Sequence, residues 1–174
     1  MHLEGEFRVG SPVDRVWRFL LDSPTLLSCL EDRHRFTPVD AQHFEGEVTS
    51  GIGVIQGTFH VTGTYVVREA PSSLGILLHG GGLGSTLDAE VQITLSEVDG
   101  LTTLRWKART TLAGPVASLG ERLFRGTVER KTMGFFENLR RRLEGGEPFG
   151  PPIGSSPGLG TRSDPPVELP GGIP

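Results

Sequence analysis

Apolar and polar residues alternate along most of the chain up to Leu112, and the period then lengthens. Leu3, Gly5, Phe7 and Val9 alternate with His2, Glu4, Glu6 and Arg8, the period of a half-buried strand. Phe44, Gly46 and Val48 repeat it against Glu45, Glu47 and Thr49. The longest run sets Ile55, Gly57, Phe59, Val61, Gly63, Tyr65 and Val67 in one phase and Gln56, Thr58, His60, Thr62 and Thr64 in the other. Further runs are Leu74, Ile76, Leu78 and Gly80, then Ala89 to Leu95, then Leu104, Trp106, Ala108, Thr110 and Leu112. Turn residues such as Pro71-Ser72-Ser73 and Asp99-Gly100 join them. Strands that follow one another without intervening helices predict an antiparallel sheet.

Two short helices interrupt this pattern after the first strand. Ser11 is placed to cap the first, with Pro12 in its first turn and Asp14 at its positive end. Val13, Val16, Trp17 and Leu20 form its inner face, and Ser23-Pro24 opens a second helix bearing Leu26, Leu27 and Leu30. The one long helical pattern spans Pro115 to Leu143. Proline suits its first position, and Gly145 suits a left-handed residue past its end. Val116, Leu119 and Leu123 form one ridge, and Phe124, Val128, Phe135, Leu139 and Leu143 another. Gly120, Gly126, Thr127 and Gly134 lie between the ridges. An interior glycine costs about 1 kcal/mol relative to alanine, so these positions are candidates for ligand space, with close helix–sheet packing as the competing reading.

The same question attaches to Gly57 and Gly63, which occupy the apolar phase of the longest strand. A bulge or bend is one explanation; a hollow interior for a hydrophobic small molecule is the other. On the second, the cavity walls are Trp17, Leu20 and Leu30 from the short helices, and Val48, Gly57, Phe59, Val61, Gly63, Tyr65, Ile76, Leu78, Val91, Ile93, Trp106 and Ala108 from the strands. The long helix adds Leu119, Leu123, Thr127 and Gly134.

The chain of 174 residues and 18.8 kDa fits one domain, and 17 basic against 21 acidic residues leave no footprint for nucleic acid. The single Cys29 excludes an internal disulfide. No apolar run reaches the ~18 residues of a membrane span, and the N-terminus lacks the order of a secretory signal, which predicts a cytoplasmic protein with membrane-surface contact left open. Beyond Glu144 the composition changes: residues 145–174 hold eight of the 13 prolines and eight of the 25 glycines. This predicts a domain over 1–144 and a disordered tail.

Five histidines, His2, His34, His43, His60 and His79, show no ligand spacing, so no metal is expected. Gly80 to Ser85 lacks the lysine and following helix of a phosphate loop and reads as a turn. Arg140-Arg141-Arg142, with Arg122, Arg125, Arg130 and Lys131, complements the helix dipole and offers a basic face, interrupted by Glu129, Glu137 and Glu144. Catalysis in the cavity would draw on Tyr65, Thr110 or His79, but the inward phases hold almost no ionisable residue.

The order strand, two short helices, six strands, long helix resembles the START-like, helix-grip (Bet v 1-like) α+β superfamily. More closely the chain resembles the CoxG family, associated with carbon monoxide dehydrogenase. The resemblance rests on Leu3-Glu4-Gly5-Glu6-Phe7, Val16-Trp17-Arg18-Phe19-Leu20-Leu21-Asp22, Ser28-Cys29-Leu30, Gly57-Thr58-Phe59 and Phe135-Phe136-Glu137-Asn138-Leu139. Where the family often has Pro-Gly after Cys-Leu, this chain has Glu31-Asp32, and the apolar anchor that ends some members is missing from its tail. The resemblance implies a seven-stranded curved sheet around the C-terminal helix. It also implies a non-enzymatic accessory protein of a molybdenum-containing carbon monoxide dehydrogenase or related hydroxylase. Such a protein would hold a quinone or lipid, with no other cofactor, and work at the inner face of the membrane. A START-like cyclase or hydrolase is the other reading.

Overall fold

The computed structural model describes residues 1–145; the tail expected over 145–174 lies, beyond Gly145, outside the described residues. Seven strands form one antiparallel sheet: β1 (His2–Val9), β2 (Arg33–Pro38), β3 (His43–Ile52), β4 (Ile55–Glu69), β5 (Ser73–Gly82), β6 (Ser85–Val98) and β7 (Leu101–Ala113). Their order is β1-β7-β6-β5-β4-β3-β2, so β1 and β2 are the edges. The short helices α1 (Val13–Leu21) and α2 (Ser23–Leu27) follow β1, and the long helix α3 (Glu121–Glu144) follows β7. This is the helix-grip architecture expected from the sequence.

Strand β2 is not visible in the alternation because Phe36 is its one large apolar residue among Arg, His, Thr and Pro. The two-residue turns Leu83-Gly84 and Asp99-Gly100 have φ values of 53° and 72°, and 51° and 77°. Positive φ at both positions matches the twist of the strands they join.

Three helix-end readings change. The long helix does not start at Pro115: a single 3-10 turn at Ala117–Leu119 ends at Gly120, whose φ of 91° cannot propagate a helix, and α3 begins after it. Gly145 has φ −72°, so α3 does not close on a left-handed residue. Ser11 does not cap α1. Pro12 takes the N-cap position, and the Val13 amide instead donates to the Glu97 carboxylate across the domain, at 2.8 Å.

The core is concentrated at the end of the grip that carries α1 and α2. Val9, Val16, Phe19, Leu20, Cys29, Leu74, Leu104, Leu139 and Leu143 are almost fully buried there. At the opposite end a smaller set, including Leu3, Ala108, Val116 and Phe124, is also buried. Between the two packed ends the inward side chains of the sheet remain half-buried, as described below.

Gly126 lies exposed on α3, and a Cβ there would meet no atom within 4 Å. It marks no ligand space. Gly126→Ala is expected to raise stability by about 0.5–1 kcal/mol through helix propensity and reduced unfolded-state entropy, measurable as a higher urea midpoint with an unchanged m-value.

Candidate functional site: the groove between β1 and α3

Helix α3 runs alongside the free edge of β1, joined to it at both ends by side chains that reach the main chain. Arg125 donates to the carbonyl of His2 at 3.1 Å, Arg140 to that of Arg8 at 3.1 Å, and the Glu144 carboxylate accepts the Gly10 amide at 2.9 Å. The Phe136 ring stacks on Phe7, with centroids 4.8 Å apart, and the Arg140 guanidinium lies 4.6 Å from the centre of Phe7. These contacts hold the helix beside the sheet rather than pressed onto its middle. A half-open groove of about 1130 Å³ remains, whose walls include Leu3, Phe7, Trp106, Ala108, Thr132, Met133 and Phe136, with Glu4, Glu6, Lys107, Arg109, Glu129 and Glu137 around it.

Trp106 occupies its place because Gly5 is its partner across β1 and β7. A Cβ on Gly5 would stand 2.7 Å from the indole Nε1. Among the described residues the indole N–H has no acceptor, which leaves a donor beside a mostly apolar space.

The sequence-nominated cavity residues fall into three groups. Val48, Phe59, Val61, Leu78, Val91, Ile93 and Trp106 form a half-buried band on the concave face, and Val128, Lys131, Thr132, Phe135 and Phe136 of α3 are half-buried as well. Of that nominated set only Trp106 and Ala108 also line the groove. Trp17, Leu20, Tyr65 and Ile76 belong instead to the packed core, with Leu30 half-buried among the α2 residues that lead from it. The third group sits where the expected space is already filled or open to solvent. Leu123 is 44% exposed, Leu119 is half-buried beside it, and Thr127 is buried with its hydroxyl donating to the Leu123 carbonyl.

The glycines need a specific correction. A Cβ on Gly63 would lie 2.0 Å from the Phe44 ring, one on Gly57 would lie 2.5 Å from Leu83, and one on Gly134 would lie 2.4 Å from the Glu31 carboxylate. Each glycine therefore makes room for another side chain of the protein and not for a void. Glu31 belongs to the segment after α2 that differs from the family pattern, and α3 holds that segment by three further contacts. Asn138 donates to the Cys29 carbonyl at 3.0 Å, Lys131 pairs with Asp32 at 2.7 Å, and Arg142 donates to Ser28 Oγ.

The groove residues that sequence reasoning missed are Leu3, Phe7, Thr132, Met133 and Phe136. The available signals were Gly5 in the inward phase of β1 and the Phe135-Phe136 pair, yet neither tells which strand the helix lies beside.

The residues proposed for catalysis do not converge. His79 is on the outer face, paired with Asp88 at 2.6 Å. The Tyr65 hydroxyl is buried near the Leu20 carbonyl and Ser23 Oγ, both at 3.3 Å, and burial raises its pKa further from neutrality. Thr110 donates to the Met1 carbonyl at 3.4 Å. Among the described residues no three His, Cys, Asp or Glu side chains are grouped to hold a metal ion, and no helix is long and apolar enough to cross a membrane.

The family model for the carbon monoxide dehydrogenase protein CoxG matches residues 5–144. Among solved structures, the chain is similar to a conserved protein from Geobacillus kaustophilus, with 20% identity over 83% of this chain and 96% of that one and a TM-score of 0.78. It is also similar to protein Ms6760 from Mycobacterium smegmatis, at 16% identity, 84% and 92% coverage and a TM-score of 0.63. A third likeness is to Ara h 8.0201, at 12% identity, 83% and 98% coverage and a TM-score of 0.58. At such identities the structural likenesses establish the fold. A search of curated proteins found no significant match.

Proposed function

This chain belongs to the CoxG family of carbon monoxide dehydrogenase proteins, and from that premise we propose that it binds a hydrophobic small molecule, a quinone or a lipid, between α3 and the sheet and serves a molybdenum-containing carbon monoxide dehydrogenase or a related hydroxylase. The observation that carries this reading is the half-buried apolar band of the concave face together with the groove of about 1130 Å³ beside β1. An interior packed to native density would leave those inward side chains dry. Ligand sites are concave and mostly apolar with a few polar groups that fix orientation. The Trp106 N–H is such a group, and a quinone or ester carbonyl supplies its acceptor. No catalytic step is assigned to the chain, since a cyclase or hydrolase needs an acid or base aimed into this space and His79 points away from it.

Ala108→Phe and Thr132→Trp each add an aromatic side chain to the groove from opposite walls. The expected result is that the full chain co-purifies with a quinone or lipid, identified by mass spectrometry of an organic extract, and that both variants lose it while keeping the circular dichroism of the parent. Retention of the ligand by correctly folded variants would place it elsewhere, and an empty parent that also fails to bind decylubiquinone would end the proposal.

A further inference from the structure

The two ends of the grip differ in charge. The β3–β4 turn, the β5–β6 turn and the β7–α3 connection all lie at the end away from α1 and α2, as the antiparallel registers require. Residues 48–59, 80–87 and 110–120, which build those connections, contain no Lys, Arg, Asp, Glu or His, in a chain of which 22% is charged. The opposite end is not depleted. Its connections carry Asp40 between β2 and β3, Arg68 and Glu69 before β5, and Glu97 and Asp99 between β6 and β7.

The uncharged end also exposes aliphatic side chains. Val54, at the tip of the β3–β4 turn, is 92% exposed, Leu83 is 50% exposed and Leu123 is 44% exposed. They are neighbours: Leu83 lies over Gly57, and Leu123 and Leu119 lie against Gly53. The nearest charges on α3 are Glu121, which pairs with Arg125 at 3.0 Å, and the exposed Arg122.

We propose that this uncharged end, led by Val54, Leu83 and Leu123, docks the protein on a lipid surface. Protein interfaces are enriched in aromatic residues, methionine and arginine at their centres. Here valine, leucine and isoleucine stand on separate tips among glycine, serine and threonine. Such tips can enter the boundary between headgroups and acyl chains, where a charged side chain would have to give up its hydration. Arg122 is a single cation at the rim, so aliphatic insertion and not charge supplies the attraction. The inference does not depend on an occupied groove.

Sedimentation with vesicles of phosphatidylcholine, alone or with phosphatidylglycerol, tests it on the full chain. The expected result is binding to both compositions that survives a change from about 50 to 500 mM salt, where exposed charge–lipid attraction is screened. Val54→Asp is expected to lower the partition coefficient at least tenfold and Val54→Trp to raise it at least threefold. Val98→Asp, on an exposed tip at the other end, is expected to leave it unchanged. Equal sedimentation of parent and Val54→Asp, loss of binding in high salt, or a parent that stays in the supernatant would each overturn the proposal. So would an effect of Val54→Asp confined to a protein partner. Mass spectrometry of extracted ligand on the same samples reports separately on the groove.

Discussion

Gly63→Val is expected to destabilise the domain by about 3 kcal/mol, near the upper end for an overpacked core, or roughly 10 °C in melting temperature for a domain of this size. The Phe44 ring fills the space beside Gly63, 2.0 Å from where a Cβ would stand, and both residues are buried. The ring cannot simply turn aside, because Tyr65 packs against it at 5.8 Å and Phe36 meets it edge-on at 6.2 Å. Phe44→Ala removes the obstacle but opens a cavity, which costs about 3–5 kcal/mol for a buried phenylalanine. In the double variant Phe44→Ala/Gly63→Val the valine enters the vacated volume. Its loss is therefore expected to fall short of the sum by about 1–3 kcal/mol, the scale of coupling between contacting residues. Urea unfolding of the four proteins closes the cycle, and strict additivity would show that Gly63 does not serve to seat the ring.

The same device recurs across the sheet: Gly5 faces Trp106, Gly46 faces Phe36 and Gly63 faces Phe44. This explains why the fold was legible in the sequence and the cavity only in part. Strand phase depends on alternation within one segment, so Phe59, Val61, Val91 and Ile93 could be assigned to the concave face from the sequence alone. Whether a glycine on that face leaves a void depends on its partner in the next strand, and register is a long-range property. For the helix the missing information was its lateral position. Periodicity identified an apolar face containing Phe135 and Leu139, but the choice of β1 as neighbour is set by Arg125, Arg140 and Glu144 reaching main-chain atoms of His2, Arg8 and Gly10. The interruption at Gly120 was local, yet alternation and helical period cannot distinguish a tolerated glycine from one with φ 91°.

Phe136→Ala is expected to affect stability and ligand binding together. The ring stacks on Phe7 at 18° to its plane and packs near Phe135 at 5.5 Å and Trp106 at 6.4 Å. It is the aromatic link between α3 and both β1 and β7, and it is also a wall of the groove. Half-buried as it is, its truncation is expected to cost about 2–3 kcal/mol, below the 3–5 kcal/mol of a fully buried ring. The Arg140 guanidinium keeps its place over Phe7, so α3 stays docked at its ends while the centre of the seam loosens. Under the proposed function the affinity for decylubiquinone, followed by quenching of tryptophan fluorescence, then falls at least tenfold. Phe136→Leu separates the two effects. Leucine restores apolar volume but not the flat surface, so stability is expected to recover to within about 1 kcal/mol of the parent, as volume-conserving swaps usually allow, while affinity stays reduced. If the leucine variant bound as the parent does, the ring would matter only for holding α3 to the sheet, and the ligand would have to sit deeper under the helix, against Phe59, Val61 and Val91.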